Sequence, residues 1–426
     1  MTSLLVFALL VLGFGLVSRL LGRRGITGPM VFVAAGLLVS PEALQIVDID
    51  LEEEVAGEVV KILAELTLAI VLFTDAGRIN FAAVRHRPQI PARLLAVAMP
   101  LSIALGLAIG AVVLTDLEFW EAAIVAAILA PTDAALGQAV ITNREVPARV
   151  RQGLNVESGL NDGLAVPFLF IFIGLAGLSE ERETASFWIR FVLEQIGLGM
   201  ATGVAVGVAG ALLLNKAVLH RTAGHTSEQL IALALALVSY LGAEHLGGNG
   251  FIAAFVAGLA GAKVCAALGD RLLEFNEEEG QLLTLATFFV FGVAFAAPRL
   301  DDFTWQILLY AILSLTVVRM VPVALSLAGL GLNPRTLMFM GWFGPRGLAS
   351  IVLALIVLAN EDVSNADQIF TIAVLTVVLS VFAHGLTARR LAERFGRYWD
   401  ERGAPGSPEL MDVMPMAARR TSRSPE

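Results

Sequence analysis

Runs of about 20 predominantly apolar residues recur thirteen times along the chain, divided by short polar connections. That length is what a helix needs to cross the hydrocarbon core of a bilayer, where no water is present to satisfy an exposed backbone N–H or C=O. The runs predict spans near 4–21, 27–42, 57–77, 92–115, 119–142, 153–178, 187–218, 227–246, 248–265, 283–299, 304–329, 336–359 and 367–389. The fold class is therefore an all-α polytopic membrane protein.

The connections alternate in charge. One set carries Arg19, Arg23 and Arg24, then Arg78, Arg85 and Arg87, then Arg144, Arg149 and Arg151, then Lys216 and Arg221, Lys263 and Arg271, Arg335, and finally Arg389, Arg390, Arg394 and Arg397. The other set reads DIDLEEE, TDLE, SEERET, AEHLGGNG, PRLDD and NEDVSNAD and is nearly free of basic residues. Basic residues in short loops stay on the cytoplasmic side, so the alternation places the N-terminus outside and the C-terminus in the cytoplasm of a multi-pass protein of the cytoplasmic membrane. The first run lacks the basic start and small-residue cleavage site of a removed signal and reads as the first span. Residues 1–397 form one transmembrane domain, and 398–426, rich in Pro, Ser and charge, are expected to be a disordered cytoplasmic tail.

Composition agrees: 57% of the 426 residues are hydrophobic and 16% charged, against about 25% charged in soluble domains. The formal net charge of -9 is spread over connections and tail and forms no patch for nucleic acid. The lipid bilayer is the expected surrounding. A single cysteine, Cys265, excludes an intrachain disulfide and any cysteine-based metal spacing. No nucleotide or cofactor motif is present, so no cofactor is expected.

Charges placed mid-span cost about 2.5 to 3.5 kcal/mol on insertion scales and call for a role. Asp133 lies at the centre of the fifth run in ILAPTDAALGQ, and Glu157, Ser158, Asn161 and Asp162 share one helical face of the sixth in NVESGLNDGLAVP. Arg319 and Arg346 lie mid-span in the eleventh and twelfth runs. The short fifth-to-sixth connection predicts antiparallel neighbours, which brings Asp133 and Asp162 to similar depth. One arginine pairing with Glu157 would leave the aspartates able to change charge. Helix-breaking residues sit at the centres of two runs: Pro131 before Thr132 and Asp133, and Gly344, Pro345 and Gly347 around Arg346. These runs are seven apart and cross the membrane in opposite directions, the pattern of an inverted repeat whose discontinuous helices form a secondary transporter's midplane site.

The segments PTD, ESGLNDG and GWFGPRGLAS resemble those of the NhaP-type sodium/proton antiporters of the first monovalent cation:proton antiporter family, relatives of the eukaryotic sodium/hydrogen exchangers. The likeness extends over essentially the whole membrane domain. It implies about 13 transmembrane helices, an inverted repeat of six, two crossed discontinuous helices in a mobile core, and a homodimer formed through a separate set of helices. It also implies exchange of Na+, Li+ or K+ for H+, in the service of pH homeostasis. Carried onto this chain, the resemblance makes Asp162 the main cation- and proton-binding carboxylate, with Asp133, Thr132 and Ser158 as further Na+ ligands. Asp75 matches an acidic residue that contributes to the family's ion site, although its place near the end of the third run is also that of a solvated loop carboxylate. Glu157 would pair with Arg319, Arg346 would balance helix ends and carbonyls, and Asn161, which cannot titrate, implies electroneutral one-for-one exchange. The family commonly has Pro-Val after the first aspartate, where this chain has Ala134 and Ala135.

Burial disfavours the charged carboxylate and a neighbouring cation favours it, so proton and cation would compete for Asp162. Two alternatives remain open on the residues alone. An intramembrane aspartyl protease could use paired aspartates but leaves both arginines and the second break without a role. A cation channel could use the same polar residues and would differ by its unitary currents.

Overall fold

The computed structural model describes residues 2–48, 54–77, 79, 88–133, 136–179, 185–220, 222, 224–265, 281–360, 363–403 and 406–411. Among the described residues regular structure is entirely helical, in thirteen membrane segments. These are α1 (Thr2–Arg23), α2 (Gly28–Val39), α3 (Glu54–Gly77), α4 (Gln89–Val113), α5, α6 (Ala148–Ser179), α7 (Ala185–Leu219), α8 (His225–His245), α9 (Gly250–Val264), α10, α11 (Trp305–Ser326), α12 and α13 (Ala366–Arg402). Five are composite; α4 contains a π-helical turn, Leu94–Ala98, and α11 is interrupted at Thr316. The α5 segment consists of α5a (Phe119–Ile128) and α5b (Gln138–Ile141), and α12 of α12a (Pro334–Trp342) and α12b (Leu348–Leu358). In α10 the α-helix Gln281–Val290 passes through a π-helical turn, Phe291–Ala296, into a 3-10 turn, Ala297–Asp302.

Each of the thirteen predicted spans coincides with one of these segments, because a run long enough to cross the bilayer must fold as helix to pair its own backbone. Among the described residues seven helices are long and apolar enough to cross by length and composition: α1, α4, α6, α7, α10, α11 and α13. The shorter apolar helices α2, α5a, α9 and α12b gain their pairing from capping residues and neighbours. Asn249 caps α9 by accepting from Ile252 N at 2.9 Å. Glu121 receives Glu118 N at 2.8 Å, and its two carboxylate oxygens receive Asn365 N and Nδ2 at 2.9 and 2.8 Å, tying the start of α5a to that of α13.

One large apolar core runs through the helices from α2 to α13, and within it some packing is closer than the rest. Helices α3, α7, α8 and α9 pack closely on one another, as do α2 and α10. A second, smaller apolar cluster includes Ile90 and Leu94 of α4, Val140 of α5b, Val150 and Leu154 of α6, Val323 of α11, Phe339 and Met340 of α12a, and Phe395 and Trp399 of α13. Helix α1 buries no residue and leans on α2 through edge-on contacts of Phe7 and Phe14 with Phe32 at 5.9 and 5.6 Å.

The helical part of the chain runs past the predicted start of the tail at 398. Helix α13 continues to Arg402, because Phe395 and Trp399 bury themselves in the smaller cluster and carry the helix beyond the apolar run. Residues 406–411 then pack back against the start of α12a, where the buried Glu409 carboxylate accepts from Asn333 N at 2.7 Å and Thr336 Oγ1 at 2.9 Å. Arg149 donates to Pro408 O at 2.6 Å from the start of α6. Arg78, Arg85, Arg87, Arg221 and Arg271, most of DIDLEEE and SEERET, and residues 412–426 lie outside the described residues.

The packing of α7 on α9 rests on the absence of side chains. A Cβ on Gly203 would sit 2.6 Å from Ala253 O, and one on Gly207 would sit 2.7 Å from Ala257 Cα, so α7 approaches α9 backbone to backbone. Gly207→Val is expected to lower the melting temperature in detergent, at the about 1–3 kcal/mol typical of overpacking. Gly197→Val, where nothing lies within 4 Å, is the matched control and should melt like the parent.

Candidate functional site

The site forms where α5 and α12 each lose helical hydrogen bonding halfway through. After Ile128 the chain turns at Leu129, and Pro131, which has no N–H to continue the ladder, leads Thr132 and Asp133 across the gap to Gln138. Ala134 and Ala135 lie outside the described residues. In α12 the gap spans 343–347, between Trp342 and Leu348.

The two gaps are tied to each other. Asp133 N donates to Pro345 O at 2.8 Å. Asp133 Oδ2 accepts from Leu348 N, the first residue of α12b, at 2.9 Å, and Oδ1 accepts from Leu136 N at 3.3 Å. A carboxylate there also faces the positive end of α12b. In the other direction, Ser350 of α12b donates to Ile128 O, at the end of α5a, at 2.8 Å. Gly347 is required by this crossing, since a Cβ on it would sit 2.6 Å from Asp133 Cγ.

Helix α6 runs beside the crossing and presents its polar face to it, and Glu157, Ser158, Asn161 and Asp162 are all buried. Ser158 Oγ donates to Thr132 O, and the two hydroxyls stand 3.3 Å apart. Asn161 Nδ2 donates to Thr132 Oγ1 at 2.7 Å. Asp162 Oδ1 and Asn161 Oδ1 are buried with no hydrogen-bond partner among the described residues. Asp75 lies within α3, half-buried, with its backbone carbonyl 3.5 Å from where a Cβ on Gly159 would stand. It is therefore against α6 and not in a solvated loop. Asp75 and Asp133 both act electrostatically on Asp162.

The two arginines have different surroundings. Arg319 is bidentate on Glu157, Nη1 to Oε1 at 2.5 Å and Nη2 to Oε2 at 2.8 Å, and both side chains are buried. Its side chain passes the second gap at Gly344, where a Cβ would fall 3.0 Å from Arg319 Cδ. Arg346 is fully buried; its backbone N donates to Ser380 Oγ at 2.6 Å and its Nη1 to Gly344 O at 2.5 Å. Its Nε and Nη2 have no hydrogen-bond partner among the described residues. The structure thus brings together Thr132, Asp133, Ser158, Asn161 and Asp162, sets Asp75 beside them, and places the Glu157–Arg319 pair and Arg346 behind.

Three partners of the gaps escape the reading of the sequence: Ser350, Ser380 and His384. Ser350 is a lone polar residue in an apolar helix, and Ser380 and His384 stand four apart on one face of α13; these are the signals by which they could be found.

Comparison with known proteins agrees with this geometry. The model of the family described as "Sodium/hydrogen exchanger, transmembrane" matches residues 5–394. The K(+)/H(+) antiporter NhaP2 of Shewanella sp. (strain MR-4) is 27% identical over 395 residues, covering 91% of this chain and 67% of the relative. The Na(+)/H(+) antiporter ApNhaP of Aphanothece halophytica is 27% identical over 356 residues, covering 80% of this chain and 66% of the relative. The solved structure of the sodium proton antiporter MjNhaP1 from Methanocaldococcus jannaschii at pH 8 has the same fold, with a TM-score of 0.71 at 20% identity over 93% of this chain and 99% of that one.

The buried ion pair gives a test of its own. Arg319→Met should strand the Glu157 carboxylate and destabilise the protein by about 3–5 kcal/mol, whereas adding Glu157→Leu should recover most of that loss. Melting of the two variants in detergent checks this, and equal melting of Arg319→Met and the parent would show that the pair contributes nothing.

Proposed function

The chain belongs to the transmembrane sodium/hydrogen exchanger family, and on that premise we propose that it exchanges Na+ for H+ by competition of the two ions for Asp162. The observation that carries this reading is the buried Asp162 carboxylate, one of whose oxygens has no donor, beside the hydroxyls of Thr132 and Ser158. A carboxylate in that setting needs a proton or a cation. A hard cation takes oxygen ligands, and Asp162, Thr132 and Ser158 offer them together with the charge of Asp133. Both Asp133 oxygens also hold backbone N–H groups, so this residue fixes the crossing while it adds negative charge. Asp75 adds a further carboxylate from α3.

Loading Na+ restores the charged form of Asp162 and releases its proton; unloading on the opposite side lets the proton return. If only the occupied carboxylate crosses between the inward- and outward-facing states, each turn moves one cation against one proton. Asn161 cannot carry a second proton, which supports electroneutral exchange. Glu157 and Arg319 keep their charges fixed on each other, and Arg346 offsets the carbonyl of Gly344. The family membership supports a core that moves, and the exposed α1 supports a homodimer formed through outer helices. The charge alternation of the connections supports a cytoplasmic-membrane protein with the N-terminus outside. Transport of K+ or Li+ belongs to the same chemistry and is distinguished by adding each cation in turn.

Asp162→Asn should abolish cation-driven proton flux in proteoliposomes containing a pH-sensitive dye while the protein still folds and melts cooperatively; retained flux would reject Asp162 as the carrier. Stoichiometry is read under a K+/valinomycin potential. Native exchange should ignore the imposed voltage and Asn161→Asp should acquire a dependence on it, so a native equilibrium that shifts with voltage overturns one-for-one exchange.

A further inference from the structure

His384 lies on α13, fully buried, against the second gap. Its Nε2 is 2.9 Å from Trp342 O, the carbonyl of the last residue of α12a. Its Nδ1 is 3.2 Å from Ser380 Oγ and 3.0 Å from Ser380 O. Ser380 Oγ in turn accepts the backbone N–H of Arg346 at 2.6 Å. The residues one helical turn apart on α13 thus hold a carbonyl at one end of the gap and an N–H near the other. The Trp342 indole stacks on the imidazole at 4.9 Å between ring centroids and donates Nε1–H to Thr387 Oγ1 at 3.0 Å, a third attachment on the same helix.

The donors and acceptors select one form of the ring. With the hydrogen on Nδ1, Nε2 would turn its lone pair on the Trp342 carbonyl. With both nitrogens protonated, the Ser380 hydroxyl would lose its acceptor and a positive ring would join Arg346 and Arg319, the charged groups that act on it from the gap side together with Glu157 held by Arg319. With the hydrogen on Nε2 alone, every donor finds an acceptor: Arg346 N–H on Ser380 Oγ, Ser380 O–H on His384 Nδ1, and His384 Nε2–H on Trp342 O; the one mismatch left is the bare Nδ1 beside Ser380 O, whereas the Nδ1–H form faces Trp342 O with a lone pair and also leaves the Ser380 hydroxyl without its acceptor.

We propose that His384, as the neutral Nε2–H tautomer, is a positioning residue for ion exchange that holds the second unwound stretch so that Leu348 N meets Asp133. This rests on the reading of the crossing as the exchange site. The backbone of 343–347 has lost its helical partners, and the relay replaces them from a continuous helix. Loosening it would misplace the groups that organise the cation ligands, which weakens cation binding before it slows the passage between states.

The test combines kinetics with a spectroscopic readout. His384→Gln keeps an amide donor for Trp342 O, and its apparent KM for Na+ should stay near that of the parent; His384→Ala should raise it by about tenfold, the effect of one buried group left unpaired, with a smaller change in kcat. An unchanged KM in His384→Ala, or the same loss in Gln as in Ala, overturns the proposal. Solid-state nitrogen NMR of histidine-labelled native protein, with the His384→Gln spectrum subtracted to assign the signal, should show a protonated Nε2 and a bare Nδ1 near neutral pH. The opposite tautomer or a doubly protonated ring overturns the proposal even where the Ala variant does not fold. Absence of any cation-driven proton flux in the native protein would instead reject the exchange reading and leave the tautomer result standing.

Discussion

The crossing of the two broken helices is the constraint on which the rest of this structure depends. A gap in a membrane helix exposes backbone groups where no water can reach them, and each unsatisfied group costs several kcal/mol. Here the gaps meet and satisfy each other: Asp133 N–H on Pro345 O, the Asp133 carboxylate on Leu348 N–H, and the Ser350 hydroxyl on Ile128 O. Gly347 allows the approach, and Ser380 supports it from α13. The unwound chain is thereby a held conformation, able to present Thr132 and Asp133 to α6 at fixed positions.

Charge is arranged around this crossing in two ways. Glu157 and Arg319 neutralise each other through two hydrogen bonds, which is the geometry that makes a buried pair tolerable in a low-dielectric interior. Asp162, one turn further along α6, has no such partner and retains a bare oxygen. The same helix face therefore carries one carboxylate held on both oxygens by an arginine and another that keeps an oxygen with no donor.

Much of this was legible in the sequence, for physical reasons that differ from part to part. The thirteen segments follow from run length, because the bilayer imposes helix on any run that crosses it. The breaks follow from Pro131, Pro345 and the flanking glycines, and the polar face of α6 follows from helical spacing. The end of α13 was not legible: Phe395 and Trp399 bury against α12a among charged residues, and no hydropathy pattern reveals a helix that leaves the apolar layer still packed on one side. Glu409 was hidden for a related reason, since its partners Asn333 and Thr336 are more than seventy positions away in the sequence and its surroundings read as a solvated tail. Ser350, Ser380 and His384 are polar residues whose meaning depends on which carbonyl or N–H stands opposite, and only the fold supplies that.

The mutual capping of α5a and α12b has a consequence for how the chain is made. Ile128 O and Asp133 leave the ribosome more than two hundred residues before Ser350 and Leu348, their partners. Until those partners arrive, the first half holds a broken helix whose polar ends must be hydrated or borrowed from other groups. The native contacts of the first break can therefore form only after the twelfth segment has been made, so the crossing is among the last parts of the membrane domain to take its final form.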